Sequence, residues 1–223
     1  MTIGFLHTAA VHVATFDRLT HQESAVVATQ HVVDETLLDR ARAHGIASVA
    51  TDVAARLDEL RDRGADVIVC TCSTIGGLAE QVSGDASTFR VDRPMARAAV
   101  AVAVAVAVTA GAAAGSRIGV VAAVESTLQS TEALLREEAL DAGGDPLIEL
   151  VLAEGAWVEF EAGNTEAYLR RVAEAARNLA GRVDVVVLAQ ASMAAAEPLL
   201  TDLDVPVLSS PLGAVRHAIT RLT

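Results

Sequence analysis

Short apolar runs rich in Val and Ile recur along the chain, separated by longer stretches whose apolar positions return at helical spacing. The alternation predicts strands over residues 3–6, 25–33, 67–70, 117–122, 147–152, 185–188 and 205–208. It predicts helices over 16–22, 35–44, 48–63, 74–82, 93–110, 128–142, 165–181, 193–200 and 212–222. Runs that are apolar throughout belong to strands covered on both faces, so the expected fold is α/β with mainly parallel sheets. No Ser- or Pro-rich linker interrupts the pattern.

The pattern repeats. Residues 65–74 (ADVIVCTCST) lie over 183–192 (VDVVVLAQAS), with an Asp, three β-branched residues and a final hydroxyl in register. Ile3-Gly4-Phe5-Leu6 likewise lies over Ile118-Gly119-Val120-Val121, and Leu19 then falls opposite Leu134. The pairs predict two pseudo-symmetric three-layer lobes of one design, an N-terminal lobe of residues 1–96 plus 207–223 and a C-terminal lobe of 97–206. Their ligand is expected in a cleft between them, where the strand C-terminal ends face each other.

One stretch tests this reading. Residues 98–115 carry no charge over 18 positions, which nominally approaches a membrane span. They are almost wholly Ala and Val with Gly111 and Gly115, bounded by Arg97 and Arg117. Side chains this small supply little transfer energy but let helices pack closely, so a buried core helix is expected, between the lobes or at a dimer interface. A homo-oligomer is expected on general grounds.

Composition narrows the function. At 223 residues, 52% hydrophobic and 21% charged, the chain has material for two real cores, which excludes extensive disorder and a disulfide-stapled miniprotein. Seventeen basic residues against 29 acidic ones repel nucleic acid and anionic membrane, and six aromatic residues are too few for base-stacking platforms. All 17 basic residues are Arg. Without Lys there is no Schiff-base chemistry and no Walker-type phosphate loop. The N-terminal MTIGFLH lacks the basic start and long apolar core of a signal peptide, so a cytoplasmic protein is expected.

Cys72 is the strongest chemical candidate. It stands just after an apolar strand and just before the helix that Thr74-Ile75-Gly76-Gly77 opens. Unpaired N–H groups and the positive end of a helix favour a thiolate there and offer a cradle to a substrate carboxylate. Ser73 and Thr74 add hydroxyl donors, and Gly76-Gly77 are expected to let a ligand approach the backbone. Cys70, inside the strand, reads as a buried small hydrophobe. His7 and His12 follow the first strand and could hold a carboxylate, relay a proton or be structural. The remaining histidines have no metal-ligand spacing, so no metal is expected. Asp34, Glu35 and Asp92 read as helix caps, and Ser126 and Thr127 as either a cap or a substrate contact.

Cys72-Ser73-Thr74 resembles the Cys-Asn-Thr that follows a strand in the aspartate/glutamate/hydantoin racemase superfamily, with Ser73 in place of Asn. Residues 7–16, Val33-Asp34-Glu35, Val91-Asp92-Arg93-Pro94-Met95 and residues 126–131 extend the resemblance over residues 3–211. The resemblance implies a two-lobed, cofactor-independent enzyme in which a cysteine from each lobe flanks the α-carbon of a small carboxylic or amino acid derivative. Cys72 matches the first. The second falls at Gln190, which cannot exchange protons at neutral pH. Substrate contacts are implied at His7, Thr8, Ser73, Thr74, Thr127, Gln190, Ala191 and Ser192. With one thiol the outcomes are an atypical racemase or isomerase, cysteine addition to a double bond as in maleate isomerases, a single-cysteine decarboxylase of the arylmalonate type, or a non-catalytic protein that binds small carboxylates.

Overall fold

The computed structural model describes residues 1–110 and 115–222. Gly111 of the uncharged stretch lies outside them. In chain order the elements are β1 (Thr2–His7), α1 (His12–Glu23), β2 (Ala28–Val33), α2 (Thr36–His44), a 3-10 turn (Ile46–Val49), α3 (Ala50–Asp62), β3 (Val67–Cys70), α4 (Ser73–Ser83), β4 (Thr88–Arg90) and α5 (Arg93–Ala110). They continue as β5 (Arg117–Ala122), α6 (Glu125–Asp141), β6 (Leu147–Leu152), α7 (Ala156–Glu161), α8 (Thr165–Ala180), β7 (Val185–Leu188), a 3-10 helix (Ala191–Leu199), β8 (Val207–Ser209) and α9 (Ser210–Leu222). The contacts divide the chain into two units, Met1–Arg93 with the chain from Pro211 onward, and Pro94–Ser210.

Each unit has one four-stranded, all-parallel sheet, in the orders β2-β1-β3-β4 and β6-β5-β7-β8. The repeat read from sequence is a repeat of register: Ile3 stands opposite Val67, and Ile118 opposite Val185. Its aspartates have one job. Asp66 Oδ2 accepts the Thr2 N–H at 2.8 Å, and Asp184 Oδ2 accepts the Arg117 N–H at 2.7 Å, so each pins the start of its central strand. Its glycines share one too. A Cβ on Gly4 would stand 3.3 Å from Leu60 Cβ of α3 and 2.8 Å from Ala65 Cβ in the turn that follows it, and one on Gly119 2.5 Å from Leu179 Cδ2 of α8, so both glycines let a helix lie close over the central strand.

The strands are apolar on both faces because helices cover both. In the second unit, Ile118, Val120, Val185 and Val187 pack with α5 and α6, while Val121, Val186 and Leu188 pack with α8. In the first, Leu6, Val32, Ile68 and Cys70 pack with α2, α3 and α4. Phe5 points the other way, its ring 5.0 Å from that of Phe16 in α1.

The structure corrects some expectations and agrees with others, the buried core helix in place of a membrane span among the latter. Residues 207–210 belong to the second unit, because β8 pairs with β7, so the unit boundary falls after Ser210. The small-residue stripe of α5 (Ala96, Ala99, Val100, Ala103) is buried on the sheet of its own unit. Among the described residues no helix is long and apolar enough to cross a membrane. The third parallel partner in the first unit, β4, was not expected, since Thr88 and Arg90 break its apolar run; nor was α7. The helix expected at 193–200 is a 3-10 helix with Pro198 inside it.

Candidate active site

The backbone turns from β3 to α4 over two residues. Thr71 continues the ladder by donating its N–H to the Leu6 carbonyl at 2.9 Å. Cys72 is extended (φ −99°, ψ 111°) and caps the eleven-residue α4, so its sulfur sits at the helix N-terminus. It is 8% exposed. Burial is the largest influence on its thiol and pushes it up from its ordinary value, against the pull of the Thr8 side chain and the N–H groups of Ile75 and Thr74. This corrects the thiolate expected from the helix end alone. The N-terminal groups are in place, but desolvation outweighs them and the resting group is a protonated thiol. Cys70 is fully buried and its thiol is likewise pushed up, by burial first, consistent with a packing role.

Beneath α4 lies a buried ion pair. Arg90 donates through Nε to Asp92 Oδ1 at 2.6 Å and through Nη2 to Asp92 Oδ2 at 2.9 Å, and Nη2 also reaches the Ser73 carbonyl at 3.1 Å. This bidentate fork is the strong form of the interaction. It gives Gly76 a reason different from ligand approach: a Cβ there would stand 2.6 Å from Arg90 Cβ. Asp92, expected as a cap for the following helix, is spent on Arg90 instead. Asp34 does serve α2, accepting the Thr36 N–H at 3.2 Å, whereas Glu35 accepts the Ala10 N–H at 3.1 Å.

His7 ends β1 and is completely buried. Its Nδ1 is 2.8 Å from Thr71 Oγ1 and its Nε2 is 2.8 Å from His31 Nδ1. His31 Nε2 in turn lies 2.9 Å from Asp17 Oδ1. Burial first, then His31 and His12, lower the His7 pKa to about 3, with Asp17 opposing. Both ring nitrogens already have protein partners, so the direct substrate contact expected of His7 is not offered by this arrangement. Thr8, Ser73 and Thr74 lie with Cys72 in the first unit; Ser73 and Thr74 are buried and Thr8 half-buried.

The other expected contacts lie in the second unit. Gln190 is extended (φ −119°, ψ 140°) and caps the 3-10 helix as Cys72 caps α4. Its Oε1 accepts the Ala123 N–H at 2.5 Å, which fixes the amide on the backbone beyond β5. Ala191 is buried; Ser192 Oγ is 2.6 Å from the hydroxyl of Tyr168, whose pKa burial raises to about 12. Thr127 is buried within α6, which opens earlier than expected, at Glu125, with Val124 rather than a hydroxyl residue at its cap. Sequence reasoning missed Asp17, His31, Thr71, Arg90 and Asp92 as members of these networks. The signal was cross-strand register: His31 stands opposite Phe5, one pleat from His7, which only the pairing of β1 with β2 makes visible.

Among the described residues no group of three or more His, Cys, Asp or Glu is placed to hold a metal ion. Comparison with curated proteins finds no match. Among solved structures the chain is similar to a glutamate racemase isoform of Bacillus anthracis (TM-score 0.72, 19% identity, 99% of this chain and 81% of that one). It is also similar to the aspartate racemase of Picrophilus torridus (0.66, 15%, 99% and 93%) and the allantoin racemase of Klebsiella pneumoniae (0.61, 18%, 100% and 87%). At such identities these likenesses speak for the two-sheet α/β fold. The family model for Asp/Glu/hydantoin racemase matches residues 47–218, which include Cys72, both aspartates of the strand repeat and Gln190, and the chain therefore belongs to that family.

Proposed function

We propose that this protein is a cofactor-independent racemase or isomerase that acts at the α-carbon of a small carboxylic or amino acid derivative, with Cys72 transferring the proton. The observation that carries the reading is the seat of its sulfur at the N-terminus of α4, with the N–H groups of Thr74 and Ile75 and the Thr8 side chain turned toward it. Donors aimed at one point favour whatever negative charge develops there, on sulfur or on an enediolate oxygen. A substrate such as aspartate, glutamate or allantoin, the compounds named for the similar racemases, fits this chemistry. Incubated in deuterium oxide, the substrate should take up deuterium at its α-carbon, and Cys72→Ala should slow that uptake at least ~100-fold. Uptake at the wild-type rate in Cys72→Ala removes the assignment.

A second reading draws on the raised thiol pKa. A protonated thiol is ready to give a proton rather than take one, which suits a single-cysteine decarboxylase, where the carbanion arises by loss of carbon dioxide and needs only an acid. Carbon dioxide release from an arylmalonate, with one deuterium in the product, selects this reading. Thermal stabilisation by small dicarboxylates with no product in either assay selects a binding protein.

A further inference from the structure

We propose that this protein is a homodimer whose copies join through the open edge of the second sheet, β6 pairing antiparallel with the β6 of a second copy about a two-fold axis at Leu150. The contact uses the second unit alone and is independent of the chemistry of Cys72.

β6 is the edge of its sheet, in the order β6-β5-β7-β8. The Leu147 N–H donates to the Ser116 carbonyl and the Ala153 N–H to the Ala122 carbonyl, both at 2.8 Å, so the odd-numbered residues of the strand turn their backbone groups toward β5. Ile148, Leu150 and Leu152 therefore turn theirs outward, and among the described residues nothing bonds them there. Such an edge is a template for a further strand, which native sheets blunt with charge, proline, a bulge or a covering side chain. None of these guards β6. Its register with β5 is continuous, and its one charge, Glu149, is met by Arg117 Nη1 at 3.0 Å and Arg182 Nε at 3.6 Å.

The matching edge of the first unit is guarded. There the Ala28 and Asp34 N–H groups donate to the Met1 and His7 carbonyls, which leaves Thr29, His31 and Val33 of β2 facing outward. Asp17 Oδ1 holds the side chains of Thr29 and His31, at 2.5 and 2.9 Å, and Arg63 Nη1 reaches the outward carbonyl of His31 at 3.4 Å. Through Ile3 and Ile118 of the repeat, Thr29 corresponds to Ile148, His31 to Leu150 and Val33 to Leu152. Two edges of one design thus differ: one is dressed in polar side chains tied to its own helices, the other is bare and apolar. The occupant must also approach a chain of net charge −12. For a second copy that demands a contact without unpaired charge, and the neutralised Glu149 provides it.

An axis at Leu150 is the one antiparallel register that uses every outward group. Leu150, 38% exposed, faces Leu150 of the second copy, and Ile148 and Leu152 face Leu152 and Ile148 of that copy, each facing pair exchanging two hydrogen bonds. Glu149 falls opposite Val151 of the second copy, and the acidic residues that flank the strand, Asp145 and Glu154, fall opposite its Gly155 and Pro146. No carboxylate meets another. Shifting the register one way sets Glu149 against Glu149 of the second copy, and shifting it the other way sets Ile148 against Glu154, beyond the strand. The contact is the same patch on both copies, so it closes at two and joins their sheets into one.

Sedimentation and native mass spectrometry of the full chain over a concentration series test this. The wild type should be a dimer. Leu150→Lys and Leu150→Glu each set like charges against one another at the axis and should weaken the dimer at least ~100-fold, with the far-ultraviolet circular dichroism of the wild type retained. Mixed, the two variants should form a dimer containing one of each, because a two-fold axis at Leu150 brings that position against itself. Amide exchange gives an independent reading on the unaltered chain: the Ile148, Leu150 and Leu152 N–H groups should be protected in concentrated protein and exposed on dilution, while those of Thr29 and Val33 should not respond to concentration. A wild-type monomer throughout the series overturns the proposal and leaves the edge to an extended segment of another protein. A dimer that persists in both variants overturns it too, as do variants that stay monomeric when mixed or outward amides indifferent to concentration. No substrate enters these measurements, so their failure leaves the role of Cys72 untouched, and undiminished deuterium uptake in Cys72→Ala leaves the dimer untouched.

Discussion

A neutral histidine in a core makes a fold sensitive to acid, because the unfolded chain can take up a proton that the folded chain refuses. His7 and His12 are both held below their ordinary value of 6.5, His7 to about 3 and His12 to about 4, chiefly by burial. Between pH 6.5 and 4 the unfolded state therefore binds more protons than the native state, and stability must fall as the pH falls. For His7 alone the slope approaches ~1.4 kcal/mol per pH unit in that window. Urea midpoints at pH 7, 6 and 5 should decline accordingly, and His12→Phe, which removes one of the two buried rings, should make the decline shallower. A flat profile over this range would contradict the burial of both rings. The sequence placed His7 and His12 after the first strand, whereas His7 is the last residue of β1 and His12 the first of α1, and it offered three roles for them and could choose none. For His7 what decides is the partner on each ring nitrogen, and those partners come from β2 and from the residue just after β3, dozens of positions away.

At the scale of elements, the strands of the repeat and most helices were legible because their apolar runs are long and covered on both faces. β4 was not, and its reason is chemical: a three-residue strand whose last member is a buried arginine has no apolar signature. Arg90 belongs there because Asp92, two residues on, neutralises it and α4 presents Gly76 to its stem. Breaking such a pair from one side strands a buried charge, so Asp92→Ala should cost about 3–5 kcal/mol and Arg90→Met with Asp92→Leu together much less than twice that. The comparison is read from chemical unfolding of the three proteins. Because Arg90 also holds the Ser73 carbonyl, loss of the pair should loosen the first turn of α4, seen as faster amide exchange at Thr74 and Ile75. The strand starts make a gentler test: Asp66→Ala and Asp184→Ala each remove one bond to the N–H that opens a central strand and should cost about 0.5–1.5 kcal/mol apiece.

Over the whole molecule, the repeat makes the two units comparable position by position. Gly4 and Gly119 occupy the same place under a covering helix, and Gly4→Ala and Gly119→Ala should each destabilise by about 1–3 kcal/mol through overpacking. The same correspondence sets Gln190 against Cys72: both follow a buried central-sheet strand, both are extended, and both cap the helix that comes next. What differs is the chemistry the two caps carry. Gln190 has no proton to exchange and binds the Ala123 N–H through its side-chain oxygen, so its replacement by Cys gives up that bond, worth about 1 kcal/mol, and adds a thiol. If Cys72 works as proposed and inversion is limited by the lack of a matching acid, Gln190→Cys should raise racemisation of a bound amino acid by tenfold or more. If Gln190 instead orients the substrate, the same change should raise KM and lower turnover together. Chiral chromatography of product alongside deuterium uptake separates the two, since the first outcome increases exchange with inversion and the second lowers both.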